Sequence, residues 1–234
     1  MDNVTNLIVS RLHELDLRFD KIVDEKDKAT EIALKGILAS LNARDQYSFD
    51  HCKRVCFYAL LVGLDQKISD RELYDLQLAS LFHDIGKIAM PDSILNKVTR
   101  LNDTEYRVMQ SHPTRSFEIL NEFDHLSNVA KSALHHHERF DGRGYPDKLS
   151  GENIPLAARV IAICDTFDSM TSARAYRSAF PVQIVLNELN EFAGAQFDPN
   201  LVESFMRVFH CVEIERDFYV PLLDRKKGQV KKAA

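Results

Sequence analysis

Hydrophobic residues recur along this chain at steps of three and four. Val4, Leu7, Ile8, Leu12, Leu15, Phe19 and Ile22 are spaced in this way with charged residues between them, the pattern of an amphipathic helix. A second helical stretch begins near Asp27 and runs through Ile32, Ile37, Leu38 and Leu41 to a break around residues 46–50. Ser69 with Glu72 and Asn102 with Glu105 are capping-box pairs; the first precedes Leu73, Leu76, Leu78, Leu81 and Phe82. Pro155 and Pro199 suit the first turn of helices, the latter behind Asp198 as N-cap. Strand-like alternation is nearly absent. Gly and Pro gather in one loop, Asp141-Gly142-Arg143-Gly144-Tyr145-Pro146, extending to Gly151. Long helices are expected rather than the many short strands of an all-β fold.

The apolar stripe on the first forty residues needs a partner surface. It either packs on the main domain or serves as a homodimer contact or a docking helix for a sensor protein. The chain of 234 residues, with 8 Gly and 7 Pro, is long enough for one domain and an appendage. Its net charge of −5 argues against holding a nucleic acid polymer by diffuse positive charge, so a phosphate ligand needs a local site. Cys52, Cys56, Cys164 and Cys211 form no CxxC pair and read as small buried hydrophobes in a reducing compartment. No apolar run reaches the roughly 18 to 20 residues that span a bilayer, and the N-terminus lacks a signal peptide's apolar segment. A cytoplasmic protein with no membrane partner is expected. The basic tail after about Arg225 reads as a solvated end.

Candidate chemistry lies in the histidines. His83 stands beside Asp84, and His135, His136 and His137 are consecutive. Asp84 follows the apolar run of residues 78–82, and Asp165 follows Val160-Ile161-Ala162-Ile163-Cys164. A carboxylate ending a buried helical face is costly unless paired, and metal coordination is one such pairing. Adjacent helical residues point about 100° apart, so His83 and Asp84 can serve one metal only near a helix end, which Gly86 supplies. Lys87, one turn from His83, is suited to touch phosphate rather than to ligate. Three successive helical positions sweep too wide an arc for one centre, so His135 is expected to be structural or exposed. His13, His125 and His210 lack companions at ligand spacing. Glu138 either orients a neighbouring His or faces water.

The stretches Ala43-Arg44-Asp45-Gln46-Tyr47 running to His51, His83-Asp84-Ile85-Gly86-Lys87, Ile94-Leu95-Asn96-Lys97, Ser111-His112-Pro113, His136-His137-Glu138-Arg139-Phe140-Asp141-Gly142-Arg143-Gly144-Tyr145-Pro146 and Asp165-Thr166-Phe167-Asp168 resemble, in order, the HD-GYP family of bacterial signalling phosphodiesterases. The resemblance covers about Leu41 to Phe209. It implies an all-α HD-domain helical bundle (41–210) behind an N-terminal helical extension (1–40) and ahead of a C-terminal segment with the basic tail (211–234). It also implies hydrolysis of cyclic di-GMP to pGpG or GMP through a metal-activated hydroxide. The implied metal ligands are His51, His83, Asp84, His112, His136, His137 and Asp165, with Asp84 bridging and catalytic. Lys87 would sit against the attacked phosphate, and Asp168, Arg174 and Arg177 around the substrate.

The chain departs from the family pattern at several positions. Tyr47 stands where three-metal members carry Glu, which favours two divalent ions. Phe49 and Asp50 replace small residues, Phe49 narrowing the entrance and Asp50 adding negative charge. Ala173 and Ala175 replace an Asp and a Pro beside Arg174. Imidazole and carboxylate donors without thiolate suit Fe or Mn. Tyr145-Pro146 either stiffens its loop or forms a wall or a contact surface for a cyclase partner. The alternatives are a binding or cyclase-interacting module with negligible hydrolysis, a cyclic GMP-AMP phosphodiesterase, and a nucleotide phosphohydrolase from elsewhere in the HD superfamily.

Overall fold

The structure, a computed structural model, describes residues 11, 12, 14, 15, 17–173 and 178–211. The described residues between 11 and 19 are helical. After them come α1 (Glu25–Arg44), α2 (Gln46–Asp65), α3 (Asp70–Phe82), a 3-10 segment (Ile85–Ala89), the short α4 (Asp92–Leu95), α5 (Asp103–Met109), α6 (His112–Asn121) and α7 (Ser127–His135). The chain closes with α8 (Leu156–Thr171), α9 (Val182–Glu191) and α10 (Pro199–Cys211). No strand occurs among the described residues, as the absence of alternating patterns predicts.

The caps explain the boundaries. The Ser69 and Glu72 side chains and backbones bond reciprocally ahead of α3, and Asn102 and Glu105 do the same ahead of α5. Asp198 accepts from Asn200 N–H at 2.9 Å and caps α10. Pro155 sits one residue before α8, at its N-cap. α1 begins at Glu25, two residues ahead of the predicted start, because Asp24 and Asp27 form a capping box with Asp in place of the usual Glu. The break expected over residues 46–50 is a single residue. The Asp45 N–H ends α1 on Leu41 O at 2.8 Å while its carboxylate accepts from Ser48 N–H at 3.1 Å, so Gln46–Asp50 are already helical.

α2 is the central helix, packed against α1, α3, α8 and α10. Val55, Cys56, Leu60, Leu73, Phe82, Ile161, Phe167 and Phe205 fill the space between these elements, with Tyr58, Phe167 and Phe205 ring to ring. The described part of the N-terminal stripe is buried within the chain itself, with Leu12, Leu15, Phe19, Leu34 and Leu41 fully covered, while Val4, Leu7 and Ile8 lie outside the described residues. This is the packing reading of the stripe. Ile32 departs from it, because it lies opposite the face formed by Thr30, Leu34, Leu38 and Leu41 and is exposed. Phe49, expected to narrow an entrance, packs on the core, and Asp50 is exposed. Cys52, Cys56 and Cys164 are buried and form no disulfide, while the Cys211 side chain lies outside the described residues. No described helix is long and apolar enough to cross a membrane.

The turn after α3 differs from the sequence reading in its cause. Helix α3 ends before Gly86: His83 caps it, and Asp84 takes φ −99° and ψ 6°, off the helical path. Gly86 is needed for a different reason, since a Cβ there would lie 2.2 Å from the His112 carbonyl oxygen and 2.5 Å from Ser116 N. The 3-10 segment and α6 are thus in backbone contact. Ser116 Oγ accepts from Gly86 N–H at 2.9 Å and donates to His83 O at 2.6 Å. From the other side Arg44, in the last turn of α1, donates to Ile88 O, Met90 O and Asp92 Oδ1. Replacing Gly86 by Ala must push α6 away, and overpacking of this kind costs about 1–3 kcal/mol. Urea unfolding of Gly86→Ala should show that loss, whereas unchanged stability would contradict the close approach.

Candidate metal centre

Five places in the fold deliver side chains to one buried volume. α2 supplies His51, the end of α3 supplies His83 and Asp84, the first turn of α6 supplies His112, the residues just past α7 supply His136 and His137, and α8 supplies Asp165. His51, His83, Asp84, His112 and His136 are nearly inaccessible to solvent. Ligand atoms of His51, His83 and Asp84 lie within 4.8 Å of one another, and so do those of His112, His136 and His137. Asp84 stands between the two groups. Its Oδ1 is 3.1 Å from His112 Nε2, and its Oδ2 is 3.4 Å from His83 Nε2 and 3.9 Å from His51 Nε2. Asp165 Oδ1 is 3.1 Å from His51 Nε2.

The ring orientations are set from behind. His83 Nδ1 lies 2.8 Å from Ser80 O, His112 Nδ1 2.8 Å from Met109 O, and His136 Nδ1 2.7 Å from Ala133 O. A carbonyl only accepts, so each Nδ1 carries a hydrogen and each ring turns its Nε2 inward. His112 Nε2 and His136 Nε2 face each other at 3.3 Å, and the buried His83 Nε2 makes no hydrogen bond. Such unmatched ring nitrogens are unfavourable in a dry interior, and their geometry is that of imidazoles prepared for cations. His137 stacks on Tyr145 with ring centroids 4.9 Å apart. The Gly-rich loop makes this stack. A Cβ on Gly144 would meet Arg139 N at 2.4 Å, and Tyr145 N–H donates to His137 O at 3.3 Å. Gly142 supplies the positive φ, +78°, that a tight loop needs.

The other expected site residues fall as follows. Lys87 donates to Asp84 Oδ2 at 2.5 Å and is mostly covered. Asp168, expected beside the substrate, is buried behind His51: its Oδ2 accepts from His51 Nδ1 at 2.7 Å, and both its oxygens accept from Arg54. Its carboxylate is taken up by these partners. Arg174 and Arg177 lie outside the described residues, as do Ala175 and the side chain of Tyr47. His135 is structural: its Nδ1 donates to Lys131 O at 2.8 Å and its Nε2 lies 2.9 Å from Asp147 Oδ2. Glu138 is buried and orients no histidine; it accepts from Asp147 N–H at 2.7 Å and so holds the Gly-rich loop. His125 is partly buried, 3.8 Å from Asp27, while His13 and the side chain of His210 lie outside the described residues. Arg54 is the residue that sequence reading missed, although its position one turn after His51, within an apolar helix, was a signal.

The groups perturb one another strongly. Burial alone would raise Asp84 and Asp165, but Lys87 and His83 around the first, and His51 around the second, hold both well below the usual carboxylate range. Burial also opposes charge on His51, yet its bonds to Asp165 and Asp168 raise it to about 9. Burial and the neighbouring imidazoles depress His136, and His137 falls to about 3.

Residues 35–201 match the profile of the HD domain family. The chain belongs to that family, and the similar proteins bear out the resemblance read from its motifs. It is 38% identical over 189 residues to the cyclic di-GMP phosphodiesterase response regulator RpfG of Xanthomonas campestris, covering 79% of this chain and 49% of that protein. It is 34% identical over 200 residues to the 3'3'-cGAMP-specific phosphodiesterase 2 of Vibrio cholerae, covering 83% and 38%. The chain therefore spans half or less of the length of these relatives. Among solved structures, Bd1817, an HDG"Y"P protein from Bdellovibrio bacteriovorus, superposes with a TM-score of 0.59 at 14% identity over 86% of this chain and 69% of that one. The PgpH HD domain of L. monocytogenes in complex with cyclic-di-AMP gives 0.54 at 16% identity over 79% and 100%. Both likenesses show the fold.

The shifts carry a pH signature for the metal-stripped chain. Between about 3 and the ordinary 6.5 of histidine, unfolded His137 binds a proton that the folded residue refuses, so stability rises with pH. His51 acts oppositely: its contribution is full below 6.5 and is lost as pH climbs through about 9. Urea midpoints of metal-stripped protein should therefore fall on both sides of near-neutral pH, and a steady increase up to pH 9 would contradict this electrostatic picture.

Proposed function

We propose that the chain is a metal-dependent phosphodiesterase that hydrolyses cyclic di-GMP to pGpG or GMP. The observation that carries the reading is the set of inward-facing Nε2 atoms on either side of Asp84, a donor set without thiolate that suits two divalent ions, Fe or Mn. His51, His83 and Asp165 would hold one ion and His112, His136 and His137 the other, with the Asp84 carboxylate available to both. Divalent ions held there would supply Lewis-acid charge and an ionised solvent nucleophile near neutral pH.

The protein's own part is placement and charge. The carbonyls of Ser80, Met109 and Ala133 fix the imidazoles, so the donors need not reorganise when charge develops on the phosphate. Lys87 keeps its positive charge beside Asp84, and its side chain is partly open to solvent, so its ammonium is available to a phosphate oxygen. Arg174 and Arg177 add, on sequence grounds, the charge that a second phosphate requires. Tyr145 holds His137 by stacking and forms a wall of the centre. Relatives whose names specify cyclic di-GMP or 3'3'-cGAMP support cyclic dinucleotides as the substrate class. The cGAMP-specific names favour a second reading, cleavage of cyclic GMP-AMP. The buried thiols of Cys52, Cys56 and Cys164, which form no disulfide, are in keeping with a cytoplasmic site of action.

Metal-loaded protein incubated with a panel of cyclic dinucleotides and dNTPs should release pGpG or GMP from cyclic di-GMP. Chelation should stop the reaction. Asp84→Ala should lower turnover by more than about 100-fold, since even residues behind metal ligands are worth 10 to 100-fold. Faster cleavage of cyclic GMP-AMP would select the second reading. Saturable binding without product in loaded protein would reject hydrolysis, and normal turnover by Asp84→Ala would reject the site.

A further inference from the structure

Behind the His51 half of the centre lies a charged pair that the reaction does not itself use. Arg54 follows His51 by three residues on α2, and Asp168 follows Asp165 by three on α8. The two helices therefore face each other with a ligand and a supporting residue apiece. Arg54 Nε donates to Asp168 Oδ1 at 2.5 Å and Nη2 to Oδ2 at 3.0 Å, a two-point guanidinium–carboxylate fork. Arg54 Nη2 also reaches Ser172 Oγ at 3.3 Å, at the end of α8. Asp168 Oδ2 receives His51 Nδ1 at 2.7 Å, which leaves His51 Nε2 directed toward Asp165 and Asp84.

Among the described residues the other half has no equivalent charged pair; its His137 is held by stacking on Tyr145. The rings of His112 and His136 are fixed by main-chain carbonyls, which a side-chain substitution does not remove, and so is that of His83. Among the imidazoles held through Nδ1, His51 is the one that depends on a side chain for its orientation, and that side chain depends on Arg54 to fix its plane. Without the fork, the Asp168 carboxylate is free to rotate about its terminal torsion, and a buried acceptor loses two charged donors.

We infer that Arg54 is a positioning residue for the metal centre, acting through Asp168 to aim His51, so that it governs the affinity of the His51–His83–Asp84 group and not that of the His112–His136–His137 group. The inference rests on the two-ion reading above. Replacing a group that orients a metal-binding histidine weakens binding by about 10 to 100-fold.

Calorimetric titration of the metal-stripped full chain with Mn²⁺ tests it. The wild-type chain should take up two ions. Arg54→Gln should weaken one of them by about 10 to 100-fold and leave the other unchanged, with Arg54→Lys, which keeps one charged donor, falling between. In a His51→Ala background, Arg54→Gln should have no further effect on Mn²⁺ affinity, because the residue through which Arg54 acts is gone. A merely structural ion pair between α2 and α8 would weaken both ions together, and would do so in the His51→Ala background as well. That result, or two unchanged affinities in Arg54→Gln and Arg54→Lys, would overturn the role assigned to Arg54 while the two-ion centre stood. A wild-type chain that bound no Mn²⁺ would overturn both.

Discussion

The buried imidazoles depend on an arrangement that is unfavourable by itself. His112 and His136 are held by Met109 and Ala133 carbonyls so that their Nε2 atoms meet at 3.3 Å, beside an Asp84 oxygen at 3.1 Å. Polar ring nitrogens crowded together away from water are unfavourable, and the fold tolerates them because the surrounding packing is continuous. α2 and α8 fill the interior on one side, α6 and α7 pack on each other, and Gly86 lets the 3-10 segment lie directly on α6. The stability of the core is what holds the donors apart from solvent and in place.

The same constraint gives the glycines of residues 141–146 a physical meaning. The loop is not a cover of arbitrary shape. Gly144 lets the backbone pass within van der Waals range of Glu138 and Arg139, Glu138 receives the Asp147 N–H, and Tyr145 arrives flat on His137. His135, which cannot reach the centre, anchors the loop through Asp147 instead. Three consecutive histidines thus divide into two that face the centre and one that supports the loop beside them.

Much of this was legible in the chain. Capping boxes at Ser69 and Asn102 and the helical spacing of apolar residues are local signals, because a cap involves partners three residues apart. The seven candidate ligands were readable by their residue types and motif order, and the structure brings them to one volume. What escaped was long-range. Arg54 and Asp168 are separated by 114 residues, and nothing in either segment announces the other. The place of Asp168 against His51 and Arg54 follows from α2 and α8 lying side by side. Gly86 was correctly singled out for the wrong cause, since close approach to α6 leaves no trace in the local sequence. Ile32 shows the limit of counting threes and fours, where one residue off the stripe faces solvent.

The central claim concerns where cations sit. Anomalous scattering from crystals grown with Mn²⁺ or Fe²⁺ measures this directly. The account predicts two peaks on either side of Asp84, one against His51 and His83 and one against His112, His136 and His137, each about 2.0–2.2 Å from its imidazole nitrogens. Water or side-chain hydrogen bonds on those Nε2 atoms, with no peak between them, would contradict it.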